Sequence, residues 1–311
     1  MKVSVLMPTY MHEKYISQAI ESFLSQKCTF AIELLINDDC SKDNTANIAA
    51  EYANKYPEKV KFFAQKENKG LLENYKFLLS KASGDYIAIL ESDDYWTDPN
   101  KLEKQVSFLE NNPDYGLSFT GWTRDRDGVQ ESYSNDAFLS ELSVVDAYKY
   151  ILLRNIIRAV TVVVRRAEFD KYCNIEDYIN NKFITFDYPV WLSILAHNRV
   201  HYLPECTAVY REIGTSISNT SNLDKRLYFE RETYKIRRYI IDKYGSAGLS
   251  AGTYTVMVEE AESHTDTVVA PASTAVLITS FKKSFSALVA STAQNSTLLQ
   301  PSFAISMHFL T

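Results

Sequence analysis

Two acidic clusters stand directly after short apolar runs, Asp38-Asp39 after Ile32 to Ile36 and Glu91-Ser92-Asp93-Asp94 after Tyr86 to Leu90. In an open α/β sheet, ligands bind outside the carboxyl ends of the strands, so acids at such ends are placed for chemistry. Five carboxylates on neighbouring strand ends repel one another unless a cation or hydrogen-bond donors occupy the gap. Hard oxygen ligands suit magnesium or manganese, which keep one or two protein carboxylates and take the rest from water and phosphate. Helix capping is the plainer role for an acid in such a turn. Asp43 and Asp98 fit it, but a cap requires no doubled carboxylate.

The elements that must position these acids are legible as alternation. Val3 to Met7 reads as a buried parallel strand, and Glu13 to Gln26 as a helix with Ile16, Ile20, Phe23 and Leu24 on one face. Ile32 to Ile36, Val60 to Ala64 and Tyr86 to Leu90 supply three more strands. Helices over roughly Thr45 to Lys55 and Leu71 to Lys81 lie between them, and Thr97-Asp98-Pro99 opens another that ends near Asn111. Four strand-helix repeats predict an open, mostly parallel α/β sheet over the first hundred residues. Beyond Pro113 the alternation loosens. Strands are expected at Gly116 to Trp122, Ala159 to Arg166 and Val200 to Arg211, with helices near Val144 to Arg154 and Asp187 to His197. Asp224 to Tyr244 reads as an amphipathic helix closed by Gly245.

Composition bounds the function. The 311 residues are 46% hydrophobic, enough for a large core, and 33 Lys and Arg against 39 Asp and Glu give a net charge of −6. A broad nucleic-acid-binding surface is therefore not expected. Cys28, Cys40, Cys173 and Cys206 have no paired spacing, and MKVSVLMPTY is not a signal peptide, so a reducing, cytoplasmic setting is expected. No apolar run reaches membrane-spanning length, which leaves at most peripheral contact at the inner face of the cell membrane. From Ser246 onward the chain is dense in Ser, Thr and Ala, and Lys282 and Lys283 are its only basic residues. That shift predicts a poorly defined tail over 246–311.

The segments VSVLMPTY, ELLINDDCSKDNT and ENKGLLENYKFLLSKASGDYIAILESDDYW, in this order and spacing, resemble the family 2 glycosyltransferases of GT-A fold. The likeness is close over about residues 1–110 and weaker to about 216. It implies a Rossmann-like α/β domain with a nucleotide-sugar-binding half (1–110), a mixed acceptor-binding half (111–220), the helix of 221–245 and the tail. It also implies an inverting, metal-assisted transfer from a UDP- or dTDP-sugar to a saccharide or lipid-linked acceptor, in surface polysaccharide synthesis. Position by position, Pro8, Thr9 and Tyr10 correspond to the base-contacting first loop and Asp39 to the acid that meets the uracil or thymine ring. Asp93 corresponds to the ribose or sugar contact and Asp94 to the Mg2+ or Mn2+ ligand. Asn68, Gly70 and Asn74 fall in the stretch that closes over the nucleotide. Glu91 stands where many members have Asp, and Glu73 where a basic residue is frequent.

The family's general base lies about a hundred residues after the metal motif, at a helix start four residues before a Trp. Asp187, ahead of Trp191, matches that placement, although Phe186 replaces the usual Glu; a bare helix-capping role is the alternative. The literal Glu-Asp pair at Glu176-Asp177 makes Asp177 the second candidate. Arg211, in a segment Tyr210 to Ser216 that also resembles the family, reaches the diphosphate or else pairs with a surface carboxylate. Trp96 and Trp122 either stack on a sugar or are buried. Two other readings stay open, a nucleotide-sugar-binding protein without turnover and a sugar nucleotidyltransferase. Dinucleotide and P-loop motifs are absent, and His197 with His201 lacks the Glu of a zinc peptidase.

Overall fold

The computed structural model describes residues 1–134, 142–213 and 223–244, together with the strands Tyr254–Met257, Thr267–Val268 and Val276–Thr279. Its main sheet begins with β1 (Lys2–Thr9), β2 (Ala31–Asp38), β3 (Val60–Ala64) and β4 (Tyr86–Ile89). These four lie in the order β3-β2-β1-β4 and are all parallel, with Thr9 opposite Asp38 and Leu6 opposite both Leu35 and Ile89. Strands β2 and β4 therefore flank β1 rather than each other. The expectation that the two acidic strand ends are immediate neighbours is corrected: the β1 end separates them.

Alternation along each strand feeds two cores. Val3, Val5 and Met7, with Leu34 and Ile36, pack against Ile16, Ala19, Ile20 and Phe23 of α1 (Ile16–Leu24) and Leu102, Val106 and Leu109 of α4 (Lys101–Asn111). Leu6, Leu35, Ile87 and Ile89 face Leu72, Tyr75, Leu78 and Leu79 of α3 (Leu71–Lys81). The spacing i, i+3, i+4, i+7 on α1 is what a one-sided helix needs, and α2 (Thr45–Lys55) completes the layer on that face. Each buried Leu or Ile side chain stabilises this arrangement by about 1.5–3 kcal/mol.

The second half is mixed. Strand β5 (Tyr95–Trp96) pairs antiparallel with β9 (Arg199–Arg211), and β6 (Tyr115–Arg126) runs parallel to β9 and antiparallel to β7 (Val129–Tyr133). The β6–β7 turn is Asp127-Gly128, both at positive φ (52° and 84°), which is the geometry a two-residue hairpin favours. The strand expected over Ala159 to Arg166 is instead a 3-10 turn at Ala159–Thr161, then a three-residue β8 (Val163–Arg165) between β4 and β6. Arg166 starts α6 (Arg166–Tyr172). Helices α5 (Val144–Leu153), α7 (Ile175–Asn180), α8 (Asp187–Leu195) and α9 (Leu223–Tyr244) enlarge the α3-side core. In the tail, the three short strands pair as a separate sheet, with Val276–Thr279 in the centre; Gly245 and the rest of 246–311 lie outside the described residues.

Candidate active site

The acidic turn after β4 is built around its serine. Ser92 is fully buried; its hydroxyl donates to Thr9 Oγ1 at 2.7 Å and meets His12 Nδ1 at 2.8 Å. The backbone N–H of Asp94 closes the turn on the Glu91 carbonyl at 3.0 Å. Around this anchor Glu91, Asp93 and Asp94 each bring a carboxylate oxygen within 4.8 Å of the others. His12 Nδ1 lies 4.0 Å from Asp93 Oδ1, so the β1 loop reaches the group.

Asp94 is the buried member. Its Oδ1 accepts the backbone N–H of Arg211 at 2.8 Å, while Oδ2 is buried with no hydrogen-bond partner. Burial and the charges of Asp93 and Glu91 push the Asp94 carboxyl well above the usual range, against a smaller opposing pull from Arg211. Burial, Asp93 and Asp187 push Glu91 up to about 8, although Tyr75 donates its hydroxyl to Glu91 Oε1 at 3.1 Å. Three carboxylates so close cannot all ionise unaided, and a divalent cation relieves both the repulsion and the orphaned oxygen. The residues present thus fit a hard cation, with Asp94 offering a buried oxygen.

The other acids are used differently. Asp38 accepts both the N–H and the hydroxyl of Ser41, and Asp39 accepts the N–H groups of Lys69 and Gly70, each at 2.8 Å. Gly70, at φ 86°, holds a left-handed conformation that a side chain would strain. Asp38 and Asp39 are buried, accept from these local donors and lie apart from the group of Glu91, Asp93 and Asp94, so at this strand end hydrogen-bond donors fill the gap. Two hydrogen bonds link the Asp38 turn to the β1 loop, Met11 N–H to Ser41 Oγ and His12 N–H to Thr45 Oγ1, both at 2.8 Å.

Among the other expected donor contacts, Pro8 and Thr9 are buried, whereas Tyr10 is 45% exposed beside Met11 at 44%, an open apolar surface at the β1 end. Asn68 is exposed. Asn74 is buried, and its amide is taken up by Asn37 through bonds of 2.9 and 3.1 Å. These bonds tie α3 to β2. Arg211 neither pairs with a surface carboxylate nor stands free: it donates to the Asp93 carbonyl at 2.6 Å and to Gln18, and lies 4.5 Å from the Tyr95 ring centre. It braces the acidic turn. Gly214 to Ser216, which follow it, lie outside the described residues.

Asp187 is the first residue of α8 and half-buried; Asn155 donates to its Oδ2 at 3.4 Å. Burial raises its carboxyl, while the Tyr188 N–H, Asn155 and the Arg158 charge hold it down. Its charge contributes to raising both Glu91 and Tyr75. Phe186, in place of the usual Glu, stacks on Tyr75 at 3.9 Å, so the α8 start is joined to the ring that donates to Glu91. Asp177, the second candidate, accepts the Tyr239 hydroxyl at 2.7 Å and lies 3.5 Å from Lys243, pinning α9. Trp96 is buried with its N–H on the Val160 carbonyl at 2.8 Å, and Trp122 is buried against Tyr133. His12 and Tyr75 carry no sequence signal that singles them out; Arg158 and Asn155 are likewise met only in the fold.

A mostly parallel half-sheet carrying a cation-type acid group at its carboxyl edge, continued by a mixed half, defines the GT-A type of glycosyltransferase domain. Residues 4–166 match the family described as Glycosyl transferase family 2, and the chain belongs to that family. The chain is 33% identical to the putative teichuronic acid biosynthesis glycosyltransferase TuaG of Bacillus subtilis, over 70% of this chain and 81% of that one. It is also 33% identical to WfgD of Escherichia coli, a UDP-Glc:alpha-D-GlcNAc-diphosphoundecaprenol beta-1,3-glucosyltransferase, over 70% and 79%. Uncharacterised mycobacterial proteins match at 34% identity, and the chain spans 64% of their length. The fold resembles that of Staphylococcus aureus TarS residues 1–349, solved with UDP-GlcNAc, with a TM-score of 0.57 at 20% identity, over 78% of this chain and 66% of that one. Among the described residues no helix is long and apolar enough to cross a membrane.

Proposed function

We propose that the chain is an inverting glycosyltransferase of surface polysaccharide synthesis, moving a sugar from a UDP- or dTDP-sugar to a hydroxyl of a saccharide or lipid-linked acceptor. The observation that carries this reading is the buried, unpartnered Oδ2 of Asp94 within a three-carboxylate group that lies close to Asp187. Residues 1–110 form the donor half and 111–220 the acceptor half, with 221–245 a supporting helix and 246–311 a tail. The relatives named for teichuronic acid and diphosphoundecaprenol-linked substrates support the acceptor class. The proposed setting is the cytoplasm, at the inner face of the cell membrane with peripheral contact.

Asp94, with Asp93 beside it, would hold Mg2+ or Mn2+, whose bound charge stabilises the departing diphosphate. Tyr10 offers the open face for the base, with Asp39 accepting from the pyrimidine ring through lone pairs that Lys69 and Gly70 leave free. Asn68 is the exposed amide of the loop that covers the nucleotide. Asp187 takes the proton of the attacking hydroxyl. Its partly desolvated carboxylate is kept ionisable by Asn155, the Tyr188 N–H and Arg158. Single displacement places that base opposite the leaving group, so the anomeric configuration inverts.

The test is transfer from a panel of nucleotide sugars, with the product anomer read by NMR. Inverted product that requires Asp94 and Asp187 sustains the reading. Transfer that survives Asp94→Ala and Asp187→Ala together sinks it.

A further inference from the structure

Arg158 stands near Asp187, and among the described residues its side chain makes no ion pair. Arg158 precedes the 3-10 turn, and its guanidinium lies 4.8 Å from the Trp122 ring centre and 5.2 Å from that of Tyr210. Tyr133 stacks on Trp122 at 4.5 Å and stiffens the platform. Arg158 Nε is buried with no hydrogen-bond partner, and no ion pair forms to the side chain among the described residues. Aromatic faces hold a guanidinium charge but leave its in-plane N–H groups unmet, and a buried unmet donor is costly. What is missing is an acceptor oxygen.

Asn155 carries the complementary deficit. Its Nδ2 donates to Asp187, while Oδ1 is buried and unpartnered. One unmet donor and one unmet acceptor thus neighbour the same carboxylate. An amide oxygen suits a hydroxyl, and a guanidinium fork suits an oxyanion. The two arginines also divide the site. Arg211 acts on Asp94 and is spent on the acidic turn, whereas Arg158 acts on Asp187.

Resting on the reading of Asp187 as base, we infer that Arg158 and Asn155 form an acceptor subsite for a saccharide that carries an anionic oxygen near the hydroxyl being glycosylated. A phosphate or diphosphate linkage and a uronic acid share that chemistry. Asn155 Oδ1 receives the hydroxyl side of the sugar, and Arg158 the charge.

The experiment uses the full chain with UDP and Mn2+ present and measures binding by calorimetry for three probes. These are an alkyl-diphosphate-linked N-acetylglucosamine, a glucuronate-terminated disaccharide and the neutral methyl glycoside of N-acetylglucosamine. The wild type binds at least one charged probe about 10- to 100-fold more tightly than the neutral one, the range of a hydrogen bond to a charged group. Arg158→Gln brings that probe to the neutral level, and Arg158→Lys keeps part of the preference; melting curves verify both folds. Preference for the diphosphate alone assigns a lipid-linked source, and for the glucuronate alone an acidic polymer. The inference is overturned if the wild type does not discriminate, if the preference survives Arg158→Gln, or if that change weakens UDP binding as much as probe binding. Because the readout is binding, it stands apart from transfer by Asp187→Asn, whose survival would overturn the base assignment instead.

Discussion

The two ends of the parallel half-sheet treat carboxylates in opposite ways. At the amino edge, Glu33 is buried but takes Lys2 at 2.7 Å, Lys61 at 2.9 Å and the Ser4 and Ser83 hydroxyls, and these bonds outweigh burial and bring its carboxyl down to about 2. At the carboxyl edge, Glu91 and Asp94 are given no lysine, and burial and mutual repulsion push both up. The fold can therefore neutralise a buried acid completely, and it leaves this one group unneutralised. The difference separates a carboxylate that holds the sheet together from carboxylates that are proposed to hold a cation.

Four measurements would break or sharpen that contrast. The largest effect is expected from Asp94→Asn, which lowers transfer by at least about 10^3-fold and abolishes thermal stabilisation by Mn2+, while leaving the metal-free melting temperature unchanged or higher. A drop in the metal-free melting temperature would put Asp94 with Glu33 as a structural acid. Next, Asp187→Asn removes the proposed base and is expected to lower transfer by about 10^2- to 10^4-fold, with binding of UDP retained as the control. Third, Glu33→Gln costs stability rather than turnover, about 3 kcal/mol at neutral pH, read by urea unfolding. The sign follows from a folded pKa below the unfolded one: the stabilisation is fully present above about pH 4.5 and is lost as pH falls toward 2. The variant should therefore lack that acid-dependent limb. Smallest, Ser41→Ala removes the hydroxyl that Asp38 and Met11 share and costs about 1 kcal/mol, with a raised KM for donor as the β1 loop loosens.

The parallel half of the fold was legible because its strands are short apolar runs punctuated by turn formers, and its helices carry one-sided patterns. The site was legible in type but not in allocation. Asp38-Asp39 and Asp93-Asp94 read alike, and only the chain's path shows that Ser41, Lys69 and Gly70 satisfy the first pair while Asp94 keeps an empty oxygen. The bond between Asn74 and Asn37 had no sequence signal, because the two lie on different elements. In the second half, Val163–Arg165 is short and bounded by a 3-10 turn and a helix, so it gives no clean period; Asp127-Gly128 was a hairpin signal that could have been read. Arg158 had no signal at all, since a guanidinium between two rings is created by three distant segments.

The bond from the Arg211 N–H to Asp94 Oδ1 spans 117 positions of sequence. A ribosome making this protein releases the acidic turn long before the residue that braces it, so the turn is completed only once β9 has emerged and docked. Nascent chains arrested before residue 211 should hold a folded parallel half with a loose turn.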